Sequence, residues 1–379
     1  MNKNWLIPAP PGKELLSDIE KLGMELKLPR LVAELLYRKG IKTSSEAQEF
    51  FNPSMENLYD PFLFPDMEKA VQRILKAIDN KEKITIYGDY DVDGTTATAL
   101  LYLGLKRIGA NIDFYIPHRM IDGYGLSLTS LDTLRENGSS LIISVDCGVN
   151  AIEEINAINS MGMEIIITDH HNPKDELPPA FAIINPKLVG MKYPYEHLAG
   201  VGVAYKLLIA IYMKLGIDTA ENKLKYMDLV AVGTIADIVP LNSENRIFAS
   251  IGLQHLIEKK NLGLNALIQI SGLNQKNLDT SDIVFGIAPR INAAGRMGSA
   301  SVSVELLIST DEAKSMELAE IIEHQNSLRQ QEDQKTFQEA CEIIEKKYKD
   351  MQQTSCMVIS SDDWHPGVIG IVASKLVEK

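Results

Sequence analysis

The chain has 379 residues, 45% hydrophobic and 23% charged, enough to bury one large core or an α/β domain with a smaller partner. Its formal net charge of −13 argues against coating nucleic acid by charge alone, but leaves open an enzyme acting on phosphates, since bound cations reverse the sign of an acidic site. No stretch approaches the roughly 18 apolar residues of a membrane span, the run Trp5-Leu6-Ile7 is stopped by Pro8, and Cys147, Cys341 and Cys356 form no Cys-x-x-Cys pair, so a cytoplasmic protein without membrane contact, disulfide framework or thiolate zinc site is expected.

Residues 1–80 carry helical patterns, such as Leu31–Leu36 and Ala70–Ile78, separated by the proline-punctuated segment 53–66, and read as an N-terminal helical cap. From Ile84 the pattern changes to short β-branched runs at 84–87, 112–116, 141–145, 164–168 and 181–184, with helices near 95–108, 128–137 and 151–161 between them. Such alternation predicts an α/β fold with a doubly wound parallel sheet, in a domain spanning 81–300. Beyond residue 199 the chain turns mostly helical. A polar connector helix at about 311–349 lies in a segment, 301–352, that links to the start of a second α/β domain at 353–379, where Cys356–Ser360 reads as a strand. One strand and one helix cannot bury their own apolar faces, so this end is expected to dock on the first domain or to stop inside an incomplete second one.

In a doubly wound sheet, ligands bind beyond the carboxyl ends of the strands. Four acidic stretches fall there or at the end of an apolar segment: Gly88-Asp89-Tyr90-Asp91-Val92-Asp93-Gly94, Asp146-Cys147-Gly148, Asp169-His170-His171 and Asp237. Asp91 and Asp93 lie two apart in a turn, with Thr95 expected to cap the following helix; the alternative is an acidic loop that caps a helix and binds nothing. Asp146 follows five largely apolar residues and must be solvated, paired or metal-bound, or else is an ordinary helix cap. Of His170 and His171, neighbours on extended chain that point opposite ways, one suits a metal ligand and the other a residue facing substrate, with Asp169 orienting an imidazole. Asp237 lies in the nearly apolar run Val232–Leu241, where a cation is a reasonable partner. Mostly oxygen ligands with one or two imidazoles suit two divalent cations, Mn²⁺ ahead of Mg²⁺, and a two-metal phosphoesterase. No Gly-x-Ser-x-Gly elbow, Walker-type phosphate loop or His-Glu-x-x-His motif offers a rival chemistry.

Three further patches are candidates for phosphate and base: Arg119 and Tyr124 in a glycine-rich loop after a strand, Arg290, Asn292 and Arg296 in a loop before the connector, and His365 at a strand-to-helix turn. For each, loop geometry with solvated charges is the plain alternative. Gly200-Val201-Gly202 reads as structural.

Together these residues resemble the DHH phosphoesterase superfamily and, within it, the RecJ single-strand-specific 5′→3′ exonucleases. The motifs that carry the resemblance are Gly88–Gly94, Asp146–Gly148, Thr168–His171, Leu198–Val203, Thr234–Asp237, Asn292–Arg296 and His365–Gly370, in that order along the chain. The resemblance implies that Asp91 and Asp93 bind one metal each, Asp146 bridges the two, and His170 and Asp237 complete the ligands of the second ion. It implies that His171 faces the scissile phosphate, and that Arg119 and Arg296 hold the DNA backbone or its 5′ phosphate, while Asp89 is left as a residue behind the ligands. It also implies single-stranded DNA as substrate, 5′-mononucleotides as products, a role in repair and recombination, and a single-strand-binding protein and a helicase as partners. RecJ proteins continue through the rest of a DHH-associated domain and an OB-like domain, so weak DNA binding or poor turnover is expected of this chain. The rival readings are a small-substrate member of the superfamily, which typically carries a histidine where this chain has Tyr87, and a non-catalytic replication scaffold.

Overall fold

The structure, a computed structural model, describes residues 12–119, 121–123, 125–258, 260–348 and 356–378. Two compact units divide the chain between Leu58 and Tyr59. In the smaller unit α1 (Lys13–Leu26), α2 (Arg30–Arg38) and α3 (Ser44–Phe51) close around Leu22, Leu36, Ile41 and Ala47. A capping box starts α3: Thr43 Oγ1 accepts from the Glu46 N–H, and the Glu46 carboxylate accepts from the Thr43 N–H.

The larger unit includes α4 (Met67–Asp79), which buries Met67, Ala70, Val71, Ile74 and Ala77 at helical spacing. Asp66, just before it, accepts the Ile183 N–H at 2.9 Å. The helices expected as one cap over 1–80 are thus divided between the units.

The β-branched runs form β1 (Lys83–Gly88), β2 (Asn111–Tyr115), β3 (Ser139–Val145), β4 (Glu164–Thr168) and β5 (Ala182–Ile184). All pair in parallel in the order β2-β1-β3-β4-β5. The central strands read as continuous apolar runs because helices cover both faces. On one face Tyr87, Ile142, Ile165 and Ile167 pack against Leu131 and Leu134 of α6 (Leu128–Glu136) and Ile155 and Ile158 of α7 (Ile152–Ser160). Burial stabilises each such side chain by about 1.5–3 kcal/mol. α5 (Val92–Arg107) links β1 to β2 and packs on both. Strand order reverses between β1 and β3, leaving a crevice at their carboxyl ends. Register places Gly88, Val145 and Thr168 side by side, so Asp89, Asp146 and Asp169 leave the sheet at one level.

The remaining elements are helical: α8 (Gly200–Lys214), α9 (Ala220–Leu224), α10 (Met227–Ala236), α11 (Ser243–Ile257), α12 (Leu262–Ile270), α13 (Thr280–Asp282) running into π-helical Ile283–Ile287, α14 (Ala288–Met297), α15 (Ser301–Ile308), α16 (Glu312–Lys347) and α17 (Pro366–Glu378). α16, roughly 54 Å long at 1.5 Å per residue, packs on α12 and α14 through Leu318, Ala319 and Ile322. Three expectations change. Pro289–Arg296 is helix rather than loop, because proline is tolerated in a first turn and Ile291, Ala293 and Ala294 have a core to enter. Cys356–Ser360 pairs with no strand among the described residues, and α17 docks on α14 and α16 instead. Asp91, not Thr95, caps α5, since the helix begins at Val92 and Thr95 turns its hydroxyl back onto the Asp91 carbonyl at 2.7 Å.

Candidate metal centre

The acidic residues converge over the β1/β3 crevice. Asp89, Asp91 and Asp146 each bring a carboxylate oxygen within 4.8 Å of the others, and so do the ligand atoms of Asp93, His170 and Asp237 and of Asp146, His170 and His171. His170 Nε2 joins the groups, at 3.1 Å from Asp146 Oδ1, 3.7 Å from Asp237 Oδ2 and 3.8 Å from Asp93 Oδ2.

Local structure aims each group. Asp91 caps α5 by accepting the Gly94 N–H at 3.0 Å, and the close approach of Gly94 to the Asp89 backbone leaves no room for a Cβ. Asp93, in the first turn, is held from outside α5: its carboxylate accepts the Gly200 N–H at 2.6 Å and the Val201 N–H at 2.8 Å, the first donors of α8. Asp146 has φ +60, a conformation aspartate tolerates at some cost, with its N–H on the Thr168 carbonyl at 2.9 Å. Asp237 ends α10 as its C-cap.

Asp169 organises the histidines. Its Oδ1 accepts the backbone N–H groups of His170 and His171 and meets His171 Nδ1 at 2.7 Å, while Oδ2 accepts the Val149 N–H. The backbone bends here, so the two rings lie 4.6 Å apart and both face Asp146 rather than pointing opposite ways. Extended geometry ends with β4, which overturns the alternation expected from sequence. His171 remains 43% exposed at its side chain, against 9% for His170, and lines a cavity of about 280 Å³ with Gly148, Asn150 and Glu154.

These carboxylates are costly to ionise together. Burial first, and the neighbouring carboxylates second, push Asp89, Asp93 and Asp237 up to about 7, and raise Asp146 well above its usual range for the same reasons. Burial lowers His170 despite the Asp237 charge. Burial also works against the Asp169 anion, but the His171 hydrogen bond and charge and the backbone donors outweigh it and lower its pKa; the same hydrogen bond raises His171. Asp89 Oδ1, Asp146 Oδ1 and Asp237 Oδ2 are buried without a hydrogen-bond partner, the 3.1 Å approach of His170 lacking hydrogen-bond alignment. Buried oxygens of this kind, converging on neutral imidazole, fit hard divalent cations.

The substrate-side candidates separate. The Arg119 guanidinium stacks over the Tyr90 ring at 5.1 Å, next to Asp91 in sequence. Arg296 bonds the Gly367 carbonyl at 2.9 Å; burial, then the like charges of Arg119 and Arg329, lower its pKa, so the three guanidinium groups share one neighbourhood. Arg290 is engaged by Glu323 at 2.5 Å and by the Gly286 carbonyl, and Asn292 accepts the Val92 N–H at 3.1 Å, pinning the start of α5. His365 Nδ1 accepts the Gly367 N–H at the start of α17. Tyr124 lies outside the described residues. Sequence reasoning missed two contributors. Gly200 and Val201, read as structural, donate to Asp93 through backbone groups that leave no side-chain signature. Arg329, whose Nε is buried without a partner, sits on a helix read as a mere connector; its spacing from Asn326, to which it donates at 2.9 Å, was the available clue.

Known proteins are similar to this chain in sequence and fold. Residues 83–234 match the DHH family, N-terminal domain. The single-stranded-DNA-specific exonuclease RecJ of Bacillus subtilis (strain 168) is 42% identical over 99% of this chain and 46% of its own length, and that of Escherichia coli (strain K12) is 34% identical over 95% and 64%. The chain spans about half to two thirds of the length of these relatives. A crystal structure of exonuclease RecJ bound to manganese superposes with a TM-score of 0.75 at 33% identity, covering 83% of this chain and 78% of that one. RecJ from Thermus thermophilus in complex with Mn²⁺ gives 0.81 at 29% identity, over 97% and 51%. The motif order, the sheet and this overlap place the chain in the RecJ family of DHH proteins.

Proposed function

We propose that this chain is the catalytic core of a 5′→3′ exonuclease that degrades single-stranded DNA to 5′-mononucleotides, in repair and recombination, and that it holds two divalent cations, Mn²⁺ ahead of Mg²⁺. The observation that carries this reading is the convergence of three buried, unpartnered carboxylate oxygens and His170 at the strand-order switch. Asp89 and Asp91 would hold one cation, Asp93, His170 and Asp237 the other, and Asp146 would serve both; on this reading Asp89 joins the ligands instead of standing behind them. When bound, the cation pair supplies an activated water and stabilises charge on the leaving oxygen.

The protein's own groups do the rest. Gly200 and Val201 hold Asp93 in place, and Asp169 fixes the His171 imidazole with one ring nitrogen engaged and the ring half-exposed at the cavity. His171 is thereby the group placed to neutralise charge on a phosphate oxygen or to move a proton. Arg119, stacked on Tyr90, with Arg296 and Arg329 supplies positive charge for the strand backbone. Single-stranded DNA is the macromolecular partner, and a single-strand-binding protein and a helicase follow from the family. A cytoplasmic location accords with the absence, among the described residues, of any helix long and apolar enough to cross a membrane.

Asp146→Ala removes the shared ligand and is expected to abolish Mn²⁺-dependent release of mononucleotides from 5′-labelled single-stranded DNA. Full retained activity overturns the reading. A panel adding dinucleotides and pyrophosphate separates a small-substrate enzyme, which the buried Tyr87, bonded to the Gly125 carbonyl, does not favour. Calorimetric absence of Mn²⁺ binding would revive a non-catalytic scaffold.

A further inference from the structure

A second cavity, of about 910 Å³, opens where five helices meet, lined by the last turns of α5 and α15, by α9, and by the starts of α10 and α12. It lies away from the metal centre. α5 begins at the Asp91 cap and reaches the cavity with Lys106 and Arg107, roughly 24 Å along its axis; α10, packed against α5, ends at Asp237 and begins at the cavity with Met227 and Asp228.

The lining has two parts. Leu103, Leu307 and Ile308 form an apolar wall, with Tyr226 beside them. Lys106, Arg107, Lys225 and Lys260 stand at the solvent side, all exposed. Two acids oppose these four cations, Glu221 at the surface and Asp228, which is 2% exposed and accepts the Leu229 N–H at 2.9 Å. In a chain with a net charge of −13 this is a local reversal of sign. Their existing contacts are these: Lys260 pairs with Glu258 at 2.8 Å where both are exposed, which is worth little, and lies 3.4 Å from His255 Nδ1, Lys106 donates to the Tyr102 hydroxyl at 3.1 Å, and Arg107 hydrogen-bonds the Tyr226 side chain. The first N–H groups of α10 and α12 and the last carbonyls of α5 and α15 all meet here, so the helix dipoles offset one another and the positive potential comes from the side chains.

An apolar wall with an aromatic ring, a cationic rim and a volume within the roughly 300–1,000 Å³ of small-molecule sites fits an amphiphilic anion with a flat apolar part and a phosphate. We propose that this cavity binds a mononucleotide, the base against Leu103, Leu307 and Ile308 and the phosphate among Lys106, Arg107, Lys225 and Lys260. Binding there does not depend on the nuclease activity proposed above.

The test is calorimetric titration of the full chain with dAMP in EDTA, which removes cations from the metal centre, and in parallel with inorganic phosphate. A saturable one-to-one isotherm with Kd on the order of 10⁻⁴ M is expected for dAMP, weakened at least tenfold in Lys225→Glu/Lys260→Glu and unchanged in Arg296→Ala. Four results overturn the proposal: no saturable dAMP binding, equal binding of inorganic phosphate, insensitivity to the double charge reversal, or loss in Arg296→Ala instead. A dAMP-soaked crystal locates the ligand without any variant, and density at the metal centre but not in the cavity is equally decisive against it.

Discussion

Gly200→Ala presses directly on the metal centre through Asp146. Gly200 opens α8 and donates its N–H to Asp93, and its φ is one that alanine adopts freely. In a helix alanine is favoured over glycine by up to about 1 kcal/mol. A Cβ at this position, however, would stand 2.7 Å from Asp146 Oδ1 and 2.8 Å from Asp146 Cβ, where ordinary contact begins at 3.4 Å, so Asp146 must retreat by about 0.7 Å, its backbone-anchored Cβ with it. Displacing groups that orient metal ligands costs about 10- to 100-fold in affinity, equivalent to roughly 1.4–2.8 kcal/mol. The assay is calorimetric titration of Mn²⁺ into metal-free protein, with a urea unfolding curve in EDTA alongside. The expected result is weaker Mn²⁺ binding by at least tenfold together with an unfolding midpoint below that of the parent, since the Asp146 backbone must give as well. Binding within twofold of the parent, at an unchanged midpoint, refutes the reasoning.

Three further outcomes are expected. The carboxyls of Asp89, Asp93 and Asp237, raised to about 7 by burial and then by one another, contribute stability to the metal-free protein that is present below the unfolded pKa of about 4 and lost as pH rises through about 7; the melting temperature in EDTA therefore falls from pH 5.5 to pH 8, excess Mn²⁺ reverses the trend, and a rise in EDTA over that interval counts against the buried cluster. His171→Asn is expected to lower kcat by about 10²–10⁴-fold while Mn²⁺ affinity stays within threefold, because the ring is held by Asp169 and not needed as a ligand; loss of Mn²⁺ binding would make it one. Glu244, 0% exposed, bridges Lys206, the Tyr59 N–H and the Tyr193 hydroxyl, so Glu244→Gln leaves the Lys206 ammonium, 1% exposed, without its counter-charge and is expected to cost about 3–5 kcal/mol in urea unfolding. A cost below 1 kcal/mol would mean that Lys206 is neutral in the native state.

Much of the site was legible because ionisable groups at the ends of apolar runs have few explanations. Asp146 after Leu141–Val145 and Asp169 after Ile165–Thr168 stand out in any reading, and the β-branched runs that precede them set the strands to within two residues. What could not be read was whatever is done by backbone or by helices distant in sequence. The Gly200 and Val201 N–H groups grip Asp93 from 107 and 108 residues away, and no residue type announces a backbone donor. Arg290 and Arg296 look alike in a string of letters, yet Glu323 on α16 occupies one while the other faces Arg119 and Arg329.

The amino-acid pattern alone determined the α/β class, the parallel sheet and the set of carboxylates and imidazoles, because continuous β-branched apolar runs, helical spacing and the cost of an unpaired buried charge are local properties of the chain. Only the tertiary structure decided how those ligands group. Register between β1, β3 and β4 puts Asp89, Asp146 and Asp169 at one level, the bend after Thr168 turns both histidines toward Asp146, and the N-terminus of α8 meets α5 at Asp93. Those are long-range juxtapositions, fixed by packing of faces against one another, and distances of a few ångströms between residues far apart in sequence follow from nothing shorter.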